Sequence, residues 1–205
     1  METAADLSLI DPMAPVPFMV LQRREETHDT FTISLEPPEP FHFRPGQFNM
    51  LYPFGIGESA ISISGDPEAP RRLVHTIRRV GNVTVALDRL RPGDVVGVRG
   101  PFGTPWPLDA ARGGDLVFVA GGIGLAPFRP AIARAVAHRD DYRRVVVLIG
   151  ARTPADIVFS EQVQEWHGQF DLEVGVTVDA ANQAWRGPVG VVTTLIPGAD
   201  FDPAA

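Results

Sequence analysis

Residues 117–128 read Val-Phe-Val-Ala-Gly-Gly-Ile-Gly-Leu-Ala-Pro-Phe, an apolar run that ends on three closely spaced glycines and enters a helix-like segment over 128–138. A strand that turns this sharply into a helix leaves bare backbone at the turn, because Gly121, Gly122 and Gly124 carry no Cβ. The unpaired amides and the dipole of the helix N-terminus face the same opening, which suits a diphosphate. Taken alone, three glycines also fit a plain structural turn. Their surroundings decide between the two readings.

The texture of the chain changes near Ala111. Before it, Thr30-Phe31-Thr32-Ile33-Ser34-Leu35 alternates polar and apolar residues as a half-buried strand does. Runs of similar length at 48–52, 60–64, 73–80 and 94–98 are separated by Pro37-Pro38, Pro45-Gly46, Pro92-Gly93 and Gly100-Pro101. Short strands so spaced predict a barrel or sandwich. After Ala111, the runs 115–121 and 144–150 are apolar without alternation, as strands buried on both faces are. Helix-like stretches follow at 128–138 and 154–167, the second with Thr153 as N-cap and Pro154 in its first turn. A third strand candidate covers 170–178. Strand–helix repetition predicts a parallel sheet that binds ligands at the C-terminal ends of its strands. The two parts join near 108–114, and residues 1–15 read as a loose arm.

The first part also holds Arg44-Pro45-Gly46-Gln47-Phe48 and Gly57-Glu58-Ser59-Ala60-Ile61-Ser62-Ile63-Ser64. In this order, with Gly121–Pro127 after them, these motifs resemble the ferredoxin–NADP reductase superfamily. The finer match is to the flavin subunits of NAD(P)-linked nickel–iron hydrogenases, the sulfhydrogenase gamma type, with the B-type subunit of anaerobic sulfite reductase nearly as close. The resemblance covers residues 16–196. It implies a two-domain fold: an antiparallel Greek-key β-barrel that binds FAD over 16–110, then an α/β parallel-sheet domain that binds NAD(P) over 111–205. It further implies another strand and a cysteine-rich [2Fe–2S] segment, neither of which the residues up to Ala205 supply. The second domain is therefore expected to be incomplete, with an exposed sheet edge after Val178.

The same resemblance implies the site residues. Ser62 matches the serine beside the flavin N5 and is the catalytic candidate, and Ile61 takes the place of a ring-packing tyrosine. The flavin would lie along Ser59, Ala60, Ile61, Ser62, Ile63 and Ser64. Strand alternation puts Ile61 and Ile63 on one face and Ser62 and Ser64 on the other. Many relatives carry a diphosphate-binding arginine where Ser59 stands, with Glu58 beside it here. That work shifts to Gly81, Asn82, Val83 and Thr84, which open a helix-like segment, and to either Arg78 or Arg79, which alternation sends to opposite faces. Gly121, Gly122, Gly124, Ala126 and Pro127 match the turn that holds the nicotinamide nucleotide. Arg152 and Thr153 fall where relatives contact the adenosine ribose. Arg152 could bind a 2′-phosphate bidentately, yet the same pattern occurs in NADH users, so NAD and NADP both stay open. Trp106 lies in the inter-domain loop and either caps the cleft or packs the junction.

Composition removes other chemistries. The net charge of −7 argues against a sequence-independent nucleic-acid partner. All 18 basic residues are arginine, which removes a phosphate-binding lysine and Schiff-base chemistry. With no cysteine, the chain offers no thiolate nucleophile and no all-cysteine iron–sulfur cluster of its own. His28, His42, His75, His138 and His167 are scattered over different segments and predict no metal site. No apolar run is long enough to span a bilayer, and residues 1–13 lack the basic residue of a signal peptide, so a cytoplasmic protein without membrane attachment is expected. The function expected is a diaphorase-type electron-transfer subunit. It would take electrons from NAD(P)H to FAD and pass them to an iron–sulfur partner of a hydrogenase or reductase. A non-catalytic FAD-binding module is the competing expectation, and a sulfite reductase or dihydroorotate dehydrogenase subunit is the nearest rival within the enzyme class.

Overall fold

The structure is a computed structural model that describes residues 13–169 and 171–203. Nearly all of the expected N-terminal arm lies outside the described residues. Six strands build the first unit: β1 (Val16–Thr27), β2 (Thr30–Glu36), β3 (Phe48–Tyr52), β4 (Ser59–Ser62), β5 (Leu73–Arg78) and β6 (Val95–Phe102). They are antiparallel in the order β4-β3-β6-β1-β2-β5. A bridge between Ile63 and His75 joins the two ends, and the Ser64 amide donates to the Val74 carbonyl at 2.9 Å. The sheet is thus a closed barrel with Greek-key connectivity, as expected. Closure removes free edges from this half of the molecule.

Alternation fills the barrel. Phe31, Ile33 and Leu35 of β2 meet Leu73 and Ile77 of β5, Val96 and Val98 of β6 and Ile63, all essentially without solvent contact. The opposite face of β2 carries Thr30, Thr32 and Ser34, which are also buried, their hydroxyls bonded to Asp29, Thr76 and Arg72. Short α1 (Asn82–Asp88) closes one end of the barrel through Leu87. Its start is fixed by the Thr84 hydroxyl, which accepts the Val80 and Gly81 amides at 3.0 Å each.

The second unit has three parallel strands, β7 (Asp115–Gly121), β8 (Arg144–Ala151) and β9 (Glu173–Val178), in that order. Between them run α2 (Leu125–Ala137) and α3 (Ser160–His167). Val145, Val147 and Ile149 face the helices with Leu125, Ile132 and Trp166 in one core. A 3-10 segment, Val192–Gly198, covers the other face. It fits because Gly150 and Gly175 lack side chains: a Cβ there would stand 2.8 Å from Val192 and 3.3 Å from Leu195.

Three expectations need correction. Helix α2 begins at Leu125, not Phe128, because Pro127 falls in a first turn whose amides have no intrahelical acceptor anyway. The single helix expected over 154–167 is divided. A 3-10 turn at Pro154–Asp156 is followed by Phe159 at φ 55°, and only then by α3. Val158 and Phe159 are buried, and their packing interrupts the helix. The edge after Val178 is not bare, since Val178 forms a parallel bridge with Val189 and its carbonyl accepts the Gly190 amide at 2.9 Å. No helix among the described residues is long and apolar enough to cross a membrane.

Candidate functional site

The strands of a parallel sheet end on one side, so Gly121, Ala151 and Val178 bring the turns after β7, β8 and β9 together. A cavity of about 340 Å³ opens there, walled by Gly121, Gly122, Gly150, Arg152 and Asp179 and closed on the barrel side by Arg78. Gly122 has φ +51°, a conformation L side chains rarely adopt. A Cβ placed on Gly121, Gly122 or Gly124 would meet no atom within 4 Å. The bare backbone therefore borders open space, with the N-terminus of a 13-residue helix behind it. Diphosphate chemistry fits these residues.

Charge around the cavity is balanced rather than strongly positive. Arg78 Nε lies 3.0 Å from Asp29 Oδ2, and Arg152 reaches the same oxygen only at 3.7 Å with 61% of its side chain exposed. The strand pleat sends Arg78 and Arg79 to different surroundings. Arg79 turns away to Asp88 and Glu25 and lies over the Phe31 ring, while Arg78 enters the cavity. Arg78, expected to act with Gly81–Thr84, thus lines the cavity of the Gly121–Gly122 turn instead.

On the barrel, Ser62 is half-buried at the end of β4 and Ala60 is exposed. The serine's backbone is fixed from below. His75, fully buried, shares a 2.9 Å hydrogen bond between Nδ1 and the Ser62 carbonyl, and its Nε2 lies 3.2 Å from Asn49 Nδ2. A carbonyl can only accept, so Nδ1 carries the proton and Nε2 accepts from the amide. Burial holds the imidazole neutral, with its pKa lowered from 6.5 to about 4. Gly100 leaves the room that the Asn49 side chain occupies, since a Cβ there would come within 2.2 Å of Asn49 Oδ1. Neither His75 nor Asn49 stood out in the sequence, because their partners come from other strands.

A second glycine turn lies nearby. Gly81 borders open space, and Gly57 approaches Val83 closely enough that a Cβ would be 3.5 Å from its Cγ2. Gly57 therefore lies beside Val83. Asn82 is exposed, and the amides of Asn82 and Val83 belong to a first helical turn. Glu58 is engaged by Arg99, whose Nε donates to its Oε2 at 2.8 Å. Its charge is neutralised there instead of opposing an anion.

Several other candidates are engaged in packing or hydrogen bonds of the fold itself. Ile63 has 1% exposure inside the barrel core, which Ile61 also partly packs against. Ser64 is wholly buried, 2.9 Å from the Thr76 hydroxyl, which lies 2.9 Å from Thr32; Thr32 donates to Glu26 at 2.7 Å. That chain of hydroxyls satisfies the face between the two units. Thr84 caps α1, and Ala126, in the first turn of α2, is buried in the core. The Thr153 hydroxyl donates to Asp156 at 2.8 Å. Pro127 offers its carbonyl to Trp106 Nε1 at 3.3 Å, while the indole stacks on Phe128 at 5.1 Å. Trp106 joins the barrel to the first turn of α2.

Residues 118–198 match the family described as the oxidoreductase NAD-binding domain. The sulfhydrogenase 2 subunit gamma of Pyrococcus furiosus is 32% identical over 194 residues, covering 89% of this chain and 67% of that subunit. A probable dihydroorotate dehydrogenase B (NAD(+)) electron transfer subunit of Methanopyrus kandleri is 42% identical over 120 residues, covering 58% of this chain and 44% of the relative. The chain thus spans two thirds or less of these relatives. Among solved structures, the cytochrome P450 reductase GcoB of Amycolatopsis superposes with a TM-score of 0.75 at 27% identity, over 90% of this chain and 57% of that one. A closed Greek-key barrel, a parallel sheet with a glycine turn at its mouth and a relative matched along most of its length converge: the chain belongs to the ferredoxin–NADP reductase superfamily.

Proposed function

We propose that this chain is a flavoprotein electron-transfer unit that accepts electrons from NAD(P)H and delivers them to an iron–sulfur partner chain. The observation that carries the reading is the meeting of Arg78, from the barrel, with Gly121 and Gly122, from the parallel sheet, at one open cavity. FAD, when bound, would take up a hydride as an electron pair and release electrons singly. The residues of this chain position and shield. Gly121, Gly122 and Gly124 admit the diphosphate of the nicotinamide nucleotide to the backbone, and Arg78 and the α2 N-terminus offset its charge. Ser62, its carbonyl anchored by His75, would border the flavin beside Ala60 and Ile61. Asn82 and Val83 would take the FAD diphosphate through backbone amides, with Gly81 leaving the space beside them open. Arg152 and Asp179 both border the cavity, one suited to a 2′-phosphate and the other to a free ribose diol, so both nucleotides are candidates.

The acceptor would be an iron–sulfur subunit of a hydrogenase, or of a reductase or dihydroorotate dehydrogenase, since this chain has no cysteine with which to hold a cluster alone. Reconstitution tests the reading. The purified chain should take up FAD, show flavin absorption and melt at a higher temperature with FAD than without. NADH or NADPH should then bleach the flavin, with slow onward transfer to artificial dyes. A colourless protein whose melting ignores FAD would refute it.

A further inference from the structure

A second cavity, of about 300 Å³, lies between the two units beside the Gly65–Ala69 loop. Three guanidinium groups line it: Arg24 from β1, Arg72 from the approach to β5 and Arg129 from α2. Arg24 is shared with Glu26, its Nη2 standing 2.8 Å from Oε1. Among the described residues, Arg72 and Arg129 have no carboxylate within ion-pair distance. They are held by neutral groups instead. Arg72 donates from Nε and Nη2 to Ser34 Oγ and from Nη2 to Gln22 Oε1. Arg129 donates from Nη1 to the Ser64 carbonyl at 2.8 Å and from Nε to Gln162 Oε1 at 2.5 Å, with its guanidinium 4.8 Å from the Phe159 ring centre. Those bonds leave Arg72 Nη1 and Arg129 Nη2 without an acceptor among the described residues.

Guanidinium does not shed its proton to escape such a place. Burial draws the Arg129 pKa downward, and the charges of Arg24 and Arg72 add to that, against Glu26 and Asp66. Asp66 is the one carboxylate on the cavity wall, and its Oδ1 already accepts the Glu68 amide at 2.9 Å. Two unneutralised forks facing one space, with donors to spare, match the several acceptor oxygens of a small dianion. We propose that this cavity binds a tetrahedral oxyanion, phosphate either free or as a monoester, between Arg72 on the barrel and Arg129 on α2. Such an ion would tie the two units together at a place separate from both glycine turns.

Orthophosphate is the probe, titrated into the full chain against sodium chloride of equal ionic strength, with thermal melting and phosphorus NMR line width as readouts. The expected result is a saturable rise in Tm with phosphate and none with chloride. Arg72→Gln, on the exposed rim, should weaken binding about tenfold. Arg129→Gln should do so more severely, and if that variant fails to fold, Arg72→Gln decides. Glycerol phosphate run in parallel identifies the source: binding equal to that of orthophosphate indicates a monoester, and selective orthophosphate binding indicates the free ion. Equal shifts with chloride would overturn the proposal. So would undiminished binding by Arg72→Gln, or loss of the effect in Gly121→Val, which would place the phosphate at the nucleotide turn.

Discussion

Acidification from about pH 7 to pH 4.5 should cost this protein much of its stability through one side chain. His75 is fully buried, its Nδ1–H donates to the Ser62 carbonyl and its Nε2 accepts from Asn49, so a second proton on the ring would face the Asn49 amide N–H. Burial lowers its pKa in the folded protein from 6.5 to about 4, although the Ser62 and Ile61 backbone favours the charged form. The sign follows directly. Between those two values the unfolded chain binds a proton that the folded chain refuses, so stability is fully present above about pH 6.5 and is lost progressively as pH falls toward 4. The drop corresponds to roughly 3 kcal/mol, a large part of the ~5–15 kcal/mol typical of a folded protein. Asp115, held to about 2 chiefly by its bond with Arg143, contributes only at still lower pH, so the two effects separate. Urea midpoints measured at several pH values would show the slope, and His75→Gln should flatten it. A parent protein indifferent to pH across this window, or a His75→Gln variant with the same slope, would refute the assignment.

Two further outcomes concern the turns. Gly124 lies in right-handed helical conformation, at φ −59° and ψ −13°, with open space at its Cβ position. Gly124→Ala should therefore stabilise the chain by about 0.4–1 kcal/mol while weakening NAD(P)H binding about tenfold, read by melting and by nucleotide titration. Equal nucleotide affinity would mean that the turn is only structural. Thr84→Ala removes the acceptor of the Val80 and Gly81 amides and should cost about 1 kcal/mol and raise the Kd for FAD; unchanged melting would deny the hydroxyl its capping role.

How far the sequence could be read depends on where each element finds its partners. Phe48–Tyr52 and Asp115–Gly121 were legible to the residue, because the Pro-Gly turn before the first and the apolar run within the second are local signals. Strand β1 was not legible as one element. Its Arg23-Arg24-Glu25-Glu26 stretch has the composition of a solvated loop, but Arg23 pairs with Asp88 and Glu26 lies under α3 against the Phe159 amide. Register shifts at Val20/Gln22 and Glu25/Thr27 further break its period. The glycine turns of the candidate site were visible because an absent side chain is a local property. The roles of Ile63 and Ser64 were not, since barrel closure at Ile63–His75 buries one in the barrel core and the other on the opposite face. His75 and the arginines of the second cavity escaped for the same reason: their neighbours are set by strand register and by the packing of two units.

Trp106 gives this architecture an intrinsic optical gauge. Its backbone amide is tied to the Pro45 carbonyl on the barrel, while its indole N–H reaches Pro127 on α2 and its ring stacks on Phe128. The other two tryptophans, Trp166 and Trp185, lie within the second unit. Emission from Trp106 alone therefore depends on the spacing between barrel and helix, and its colour and intensity would register a hinge motion at the junction without any attached dye.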